Sequence, residues 1–392
     1  MTRKSDALSL LLILLILSFS QAIKGVKFFN VKDYGALGDD HYDSSEAFER
    51  SWNEACKWKG KAVIKIPRGK FLLRNLLFQG PCMGPIDFHN AGFLKAHKVN
   101  IGLSYWVEFR YVDRLGISGS GHFDGQGSES WFKIMEDYPS TNNLPTSLML
   151  TFVNNSRIDN MNFVNSKGSH IKLYGCKNVT ITQIHISAPP NSPNTDGINI
   201  AFSRQIQVTD SKISTGDDCI SLLPGAEDVN ITDTRCGPGH GISIGSMGIG
   251  PNELAVKGIN VKNCNFTDTM NGVRIKTWAT KNAGKVAQIS FESIFVNNAS
   301  NPIIIDQNYC PSHDCPKGDS HVQISDVKFV NIMGVSQTYV AVNLQCSKYR
   351  PCEVETKNIN LKYGSNKGPT ISSCYNVKGV ASGFQKPPSC IS

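Results

Sequence analysis

The stretch from Asn194 to Lys276 reads NTDGINIAFSRQIQVTDSKISTGDDCISLLPGAEDVNITDTRCGPGHGISIGSMGIGPNELAVKGINVKNCNFTDTMNGVRIK. Runs that alternate apolar and polar residues, as half-buried strands do, separate short clusters rich in glycine and charge. The clusters are Asn194-Thr195-Asp196, Gly216-Asp217-Asp218, Gly239-His240-Gly241 and Arg274-Ile275-Lys276. Each cluster occupies a similar point in a recurring unit.

The recurring unit extends well beyond this stretch. The first apolar residues of successive strand-like runs are Ile158, Val179, Ile206, Val229, Ile259, Ile289, Ile324 and Ile359. Their spacing drifts, as it does when loops of different length are inserted into a repeating turn, and such a repeat indicates a solenoid. We interpret the chain as an all-β protein, a right-handed parallel β-helix. No linker or charge block divides residues 23–392, so we expect one domain.

Carboxylates one coil apart become neighbours in such a fold, because adjacent strands lie about 4.8 Å apart. Asp196 and Asp217 are close to one coil apart in the sequence, and Asp218 is adjacent to Asp217. Hydrolysis of a glycosidic bond needs two carboxyl groups, one to protonate the leaving oxygen and one to activate water. Asn-Thr-Asp and Gly-Asp-Asp are also ordinary turn sequences. The presence of all four clusters in order favours a site.

The four clusters, in this order and spacing, resemble the motifs of the polygalacturonases, which hydrolyse pectin. The similarity runs from about Phe28 to the C terminus and is nearest to the pollen-type exopolygalacturonases of plants. It implies hydrolysis of α-1,4 bonds between galacturonic acid units, with inversion and without a cofactor. It also implies that Asp217 is the general acid and that Asp196 and Asp218 hold and deprotonate the attacking water. Crowding of like charges is expected to raise the pKa of at least one of these carboxyl groups.

Five further residues complete the predicted site. His240, flanked by glycines, is assigned to tuning the acid and contacting substrate. A metal site is not predicted here, because no second histidine lies at ligand spacing. Arg274 and Lys276 are two residues apart in a strand, so both face outward and form a cationic pair for a galacturonate carboxylate. Tyr309 matches a family tyrosine near the scissile sugar, although it is also suited to packing against the loop at Cys310. Asn194 is a candidate substrate-binding residue.

The N terminus predicts secretion. A basic segment, Thr2-Arg3-Lys4, precedes an apolar run from Ala7 to Phe19, and small residues follow up to Ala22. This is the pattern of a signal peptide over residues 1–22, and the run is too short to span a membrane. The net charge of +8 suits a polyanionic partner. Because the chain is predicted to be secreted and its basic residues are dispersed, we expect its partner to be pectin in the cell wall rather than nucleic acid. We also expect a monomer.

Twelve cysteines in a secreted chain imply disulfides rather than a zinc site. Proximity suggests three bonds, Cys310 with Cys315, Cys346 with Cys352 and Cys374 with Cys390. The family resemblance adds Cys219 with Cys236, Cys56 with Cys82 is plausible, and Cys176 and Cys264 remain as buried thiols. Five sequons, at Asn154, Asn178, Asn230, Asn265 and Asn298, are open to glycosylation after secretion. A sequon asparagine that faces inward would stay unmodified.

A short helix is expected to cover the N-terminal end of the β-helix. Asp43 is in N-cap position with Glu46 three residues later, and Phe48, Trp52 and Ala55 form an apolar stripe. Further on, a glycine-rich segment contains His122 and Asp124, whose setting favours tight turns over catalysis.

Three other functions remain open from the residues alone. An endo-acting polygalacturonase would have the same clusters, since exo action depends on loops that close one end of the cleft. A pectate lyase shares the fold but eliminates and uses calcium. A catalytically silent pectin-binding β-helix would bind pectate and release no reducing ends.

Overall fold

The structure of the chain is a computed structural model that describes residues 25–98, 104–131, 144–311, 314–364 and 368–391. The predicted signal peptide, residues 1–22, lies outside the described residues. Within them, the strands form two parallel sheets, a large one of 22 strands and a small one of 11.

The strands of the large sheet form two ladders along the stack, which join at β27, Gly284–Ala299. They are β1 Lys27–Asn30, β2 Asp39–Asp43, β3 Ala62–Ile66, β4 Lys70–Leu73, β6 Ile86–Asn90, β7 Phe93–Ala96, β9 Leu115–Gly119, β10 His122–Asp124, β12 Asn154–Asp159, β13 Asn162–Val164, β15 Lys177–Thr182, β16 His185–Ser187, β18 Arg204–Thr209, β19 Lys212–Ser214, β21 Glu227–Thr232, β22 Arg235–Cys236, β24 Val256–Lys262, β25 Asn265–Thr267, β27 Gly284–Ala299, β29 Val322–Ser336, β31 Cys352–Tyr363 and β33 Val377–Lys386.

The small sheet takes one strand from each coil and has the predicted clusters at its edge. Its strands are β5 Leu76–Gln79, β8 Tyr105–Arg110, β11 Thr146–Thr151, β14 Ile171–Tyr174, β17 Ile198–Ala201, β20 Ile220–Leu222, β23 Ile242–Met247, β26 Asn271–Trp278, β28 Asn301–Tyr309, β30 Val340–Gln345 and β32 Ile371–Tyr375. Each pairs in parallel with its equivalents one coil before and after, for example β17 with β14 and β20. The predicted right-handed parallel β-helix is confirmed.

The register of the predicted repeat is right in the middle of the chain and wrong at both ends. Val179, Ile206, Val229, Ile259 and Ile289 are equivalent residues, as predicted. The residue equivalent to Val179 in the preceding coil, however, is Ser156 rather than Ile158. Beyond Ile289 the ladder continues at Val327, not Ile324. At the N-terminal end the predicted and observed residues are two apart, which is the period of a strand, so the sequence pattern fits either. At the C-terminal end Ile324 pairs instead with Val286, three residues before Ile289.

The interior of the coils is filled by stacked apolar side chains. One ladder, from β15 through β27, consists of Ile181, Val208, Ile231, Val261 and Phe291, each no more than 1% exposed. Burying a side chain of this size contributes about 1.5–3 kcal/mol. Because each rung contacts only the coils on either side, stability is distributed along the stack as in other solenoids.

The N-terminal helix, α1, spans Ser45–Cys56 and covers the first coils as predicted. Trp52, 1% exposed, packs against Phe78 and Phe109 with ring centroids 5.0 and 5.3 Å away. The N-cap residue is Ser44 rather than Asp43, because Asp43 is still in strand β2. Asp43 nevertheless acts on the helix end, since its carboxylate accepts the N–H of Ser45 at 2.9 Å.

All five predicted disulfides are present, and Cys176 and Cys264 are buried thiols, as expected. Burial raises the pKa of Cys176 to about 11 and that of Cys264 to about 12, so neither is a reactive thiolate. All five sequon asparagines lie on the large sheet and none of them is buried. No helix in the described part of the chain is long and apolar enough to cross a membrane.

Candidate active site

Three of the predicted site residues stand at equivalent positions along one edge of the small sheet. Asp196, Asp218 and His240 each lie two residues before an isoleucine that begins strand β17, β20 or β23, and those isoleucines are paired with one another. Backbone hydrogen bonds join the turns, with Gly197 N–H donating to Asp218 O at 2.9 Å. The residue equivalent to Asp196 in the next coil is therefore Asp218. The sequence spacing had indicated Asp217 instead.

Asp217 and His240 meet across one coil step. His240 Nδ1 is 3.1 Å from Asp217 Oδ1, and the two side chains are 29% and 21% exposed. The same carboxylate oxygen accepts the N–H of Asp218 at 2.7 Å, which fixes the orientation of the Asp217 side chain. The imidazole is thus placed beside the predicted general acid, and both side chains are partly exposed to solvent.

Asp218 is the buried centre of the site, with a side chain only 1% exposed. Its Oδ1 accepts from Arg274 Nη2 at 2.7 Å and from Ser243 Oγ at 2.7 Å, while its Oδ2 accepts from Lys276 Nζ at 2.8 Å. Burial pushes the pKa of Asp218 up, but the charges of Lys276 and Arg274 outweigh burial and hold it below its ordinary value. Asp218 is therefore ionised.

The placement of Arg274 and Lys276 corrects the prediction for them. Both lie on the outer face of β26, as the strand pattern requires, but each is only 7% exposed. Both cations contact Asp218, so they are not a free pair, and only the positive charge that Asp218 leaves unbalanced remains for a ligand. A sequence pattern shows which face a strand residue is on, whereas the depth of that face depends on the turns beside it.

Asp196 has the opposite electrostatic setting. Burial, and then the negative charges of Asp217 and Asp218, raise its pKa well above the ordinary value. The raised pKa that was expected from crowding is thus found at Asp196, with burial as its larger cause and the two neighbouring carboxylates second. Below it, His170 is fully buried, and burial lowers the pKa of that imidazole to about 4. Ser166 N–H donates to its Nε2 at 3.3 Å, so Nδ1 bears the proton and donates to Asp196 O at 3.1 Å.

The two remaining candidates are near these groups. The ring of Tyr309 lies with its centroid 5.1 Å from Lys276 Nζ and 5.8 Å from Arg274 Cζ. It also packs edge-on against Trp278 at 5.4 Å. Asn194 is half-buried in a left-handed turn, with φ of 51°, two residues before Asp196. Asn194 and the three aspartates thus lie in the turns before β17 and β20, His240 lies before β23, Arg274 and Lys276 lie within β26, and Tyr309 ends β28.

A comparison with protein families agrees with this geometry. The profile described as "Glycosyl hydrolases family 28" matches residues 56–388. The chain belongs to glycosyl hydrolases family 28. The match includes every predicted site residue and all of strands β5 to β32.

Curated relatives of this family 28 chain are similar along almost their whole length. A protein of Nicotiana tabacum named polygalacturonase is 41% identical over 97% of this chain and 96% of its own length. A protein of Platanus acerifolia named exopolygalacturonase is 41% identical over 92% of this chain and 96% of its own.

Solved structures show the same fold at lower identity. An endo-xylogalacturonan hydrolase from Aspergillus tubingensis superposes with a TM-score of 0.79 at 22% identity, covering 92% of this chain and 100% of its own. A polygalacturonase from Erwinia carotovora gives 0.68 at 23% identity over 91% and 96%.

The family 28 site also contains a group of potential metal ligands. Ligating atoms of Asp217, Asp218 and His240 lie within 4.8 Å of one another. Both oxygens of Asp218 already accept hydrogen bonds from Arg274 or Lys276, so a cation there would meet two positive side chains. The donor set therefore fits a metal poorly.

Two residues that sequence reasoning missed support the others. Ser243 donates to Asp218 and accepts from Arg274 Nε at 2.9 Å, which links the anion and the cation. The feature that could have indicated Ser243 is its register, since Ser243 and Arg274 are paired across β23 and β26. His170, which holds the Asp196 backbone, stands in the coil before it, and a lone histidine before an apolar strand gives little indication of such a role.

Proposed function

We propose that this chain is an exo-acting polygalacturonase. It hydrolyses α-1,4-galacturonosidic bonds of polygalacturonate from a chain end, with inversion, and releases galacturonic acid. The observation that carries the proposal is the convergence of three carboxyl groups, one buried and ionised and one with a raised pKa, beside Arg274 and Lys276. The exopolygalacturonase names of relatives 41% identical support the exo mode.

An inverting glycosidase needs one protonated carboxyl group and one carboxylate. Asp218, kept ionised by its two cations, supplies the negative charge that draws a proton from the attacking water. The raised pKa of Asp196 retains a proton within the cluster and lets its carboxyl group orient that water. Asp217, which is partly exposed to solvent and in contact with His240, is the residue that protonates the glycosidic oxygen.

Substrate recognition follows from charge. Asp218 balances only one of the two cations beside it, so Arg274 and Lys276 retain one excess positive charge for a galacturonate carboxylate. Tyr309 lies against both cations and is placed to contact the same sugar. Asn194 contributes a polar side chain near Asp196. No cofactor is needed, because acid, base and charge stabilisation all come from the chain.

The test is the product profile on de-esterified polygalacturonate, with wild type compared with Asp217→Asn. Early release of monogalacturonate alone, with slow loss of viscosity, is expected. Mixed oligomers with a rapid fall in viscosity would make the enzyme endo-acting. Ultraviolet-absorbing unsaturated ends and loss of activity to a chelator would indicate a lyase. Binding without reducing ends would indicate a silent pectin-binding protein. NMR of the first product distinguishes inversion from retention.

The proposal also covers the processing, location and glycosylation of the chain. Residues 1–22 are a signal peptide, and residues 23–392 form a secreted catalytic domain that acts as a monomer on pectin in the cell wall. The sequon asparagines most open to glycosylation are the three exposed ones on the large sheet, Asn178, Asn230 and Asn265, whereas Asn154 and Asn298 are half-buried. N-terminal sequencing and intact mass of the secreted protein, before and after glycosidase treatment, test these statements.

A further inference from the structure

A row of outward-facing residues crosses the small sheet past the catalytic carboxyl groups. The backbone register places these residues side by side on successive strands from β14 to β26: Lys172, Asn199, Ser221, Ser243 and Arg274. Lys172 and Arg274 are four strand steps apart, about 19 Å at about 4.8 Å per step. Asp196, Asp218 and His240 precede the three strands between them. The row therefore has one cation on each side of the reacting groups.

The two cations differ in their partners. Arg274, like Lys276 beside it, is bound to Asp218. Lys172 is half-buried and has no ion pair or hydrogen bond from its ammonium to any side chain within the described ranges. Its neighbour Asn199 is already occupied, because Asn199 Nδ2 donates to Ser169 Oγ at 2.8 Å and Asn199 Oδ1 accepts from Ser221 Oγ at 2.7 Å. The charge of Lys172 is left for a ligand.

Beyond Lys172 the row ceases to offer a cation. The next position, on β11, is Met149, and the one after it, on β8, is Glu108. Glu108 is 1% exposed and is bound by Arg110, at 2.7 and 3.0 Å, and by Thr151 at 2.6 Å. A polyuronate extending in this direction would meet an apolar side chain and then a neutralised pair. Along this row, Lys172 is the last position suited to a sugar carboxylate.

We propose that Lys172 binds the carboxylate of the galacturonate unit on the side of the scissile bond away from Arg274 and Lys276. This inference rests on the proposed function and adds a subsite to it. It makes the enzyme specific for a free carboxylate on that unit, so methyl-esterified ends are poor substrates. It also limits tight binding on this side to a short stretch of chain, which suits release of a small product.

The test compares Lys172→Met with Lys212→Met on de-esterified polygalacturonate. Lys212 is an exposed lysine on the large sheet, whereas Lys172 is on the small sheet, so Lys212 is the matched control for lost charge. Loss of a charge-assisted hydrogen bond is expected to lower kcat/KM about tenfold for Lys172→Met, mainly through KM, and to leave the control unchanged. Lys172→Arg should restore most of the activity.

Esterified substrate provides the second measurement. On oligogalacturonates whose carboxyl groups are methyl-esterified, wild type and Lys172→Met should have equal kcat/KM, because no carboxylate remains to bind. An equal loss on both substrates would mean that Lys172 acts structurally and would overturn the inference, as would a Lys172→Met enzyme no weaker than the control. If wild type releases no galacturonate at all, the proposed function itself fails, which is a different result from an active wild type with an indifferent Lys172.

Discussion

Replacing Lys276 with methionine tests the electrostatic core of the site. Lys276 Nζ is 2.8 Å from Asp218 Oδ2, and both side chains are nearly buried, at 9% and 1% exposure. Methionine keeps the apolar length of the side chain and removes the charge. Removing one partner of a buried ion pair typically costs about 3–5 kcal/mol. Since Arg274 and Ser243 still hold Asp218 Oδ1, we expect the lower end of that range, about 3 kcal/mol at neutral pH.

The cost should depend on pH with a definite sign. In the native protein the pKa of Asp218 is lowered from 3.8, because the charges of Lys276 and Arg274 outweigh burial. The carboxylate therefore stabilises the fold fully above pH 3.8, and the contribution is lost as pH falls through the lowered pKa. Without Lys276, burial meets less opposition and the pKa of Asp218 rises. A smaller lowering of the pKa leaves less stability to be lost in acid, so the deficit of the variant shrinks as pH falls. Wild type and variant should converge in acid.

The assay is urea unfolding at neutral pH and near pH 3, followed by tryptophan fluorescence, together with kcat on polygalacturonate. Lys257→Met is the control, since Lys257 Nζ makes a 2.9 Å pair with Glu227 that is exposed on the large sheet. An exposed pair of this kind contributes little, so the control should unfold like wild type at both pH values. The reasoning is refuted if Lys276→Met is no less stable than the control at neutral pH, or if its deficit is as large in acid.

Three further substitutions extend the test. Asp196→Asn should raise the unfolding midpoint at pH 7 but not near pH 3, because a carboxyl group whose pKa is raised by folding destabilises the fold at pH values above its unfolded pKa. The kcat should fall at the same time, and an unchanged midpoint at pH 7 would show that folding does not raise the pKa of Asp196. Ser243→Ala removes a donor to Asp218 and should cost about 1–3 kcal/mol and lower kcat, whereas Ser221→Ala, one strand away, should affect kcat less; equal effects would argue against a specific role. Replacing both Cys219 and Cys236 with serine opens a 17-residue loop next to Asp218 and should cost about 3 kcal/mol and lower kcat; full activity would mean that the turn is held without the bond.

The fold and most of the site were accessible from the sequence because solenoid geometry converts spacing into contact. Clusters one coil apart must become neighbours, and this brought Asp196, Asp218 and His240 together without any knowledge of loops. The same logic chose Asp217 as the coil partner of Asp196, an error of one residue. Spacing near the mean coil length does not distinguish adjacent residues, and only the pairing of Ile198 with Ile220 does.

Burial was the part that spacing left undetermined. Arg274 and Lys276 were assigned to the correct face of β26, yet that face is enclosed by the turns that contain Asp217, Asp218 and His240. The partner of each cation is 56 or 58 residues away in the sequence, two coils back. A pattern local to one strand contains no information about such a contact. Ser243 was missed for the same reason, since its hydroxyl matters only once Asp218 and Arg274 are known to meet.

The charge balance of the site explains why a polyanionic substrate does not oppose its own hydrolysis. Asp218 is held ionised by two cations, so a galacturonate carboxylate that approaches Arg274 and Lys276 meets their remaining positive charge rather than the carboxylate behind them. Once bound, that substrate charge adds to the field at Asp196 and favours its protonated form. Protonation of the glycosidic oxygen requires a protonated acid. In the proposed mechanism, the bound substrate thus helps Asp196 to retain its proton, while Asp218, with its own cations within 2.8 Å, remains the base.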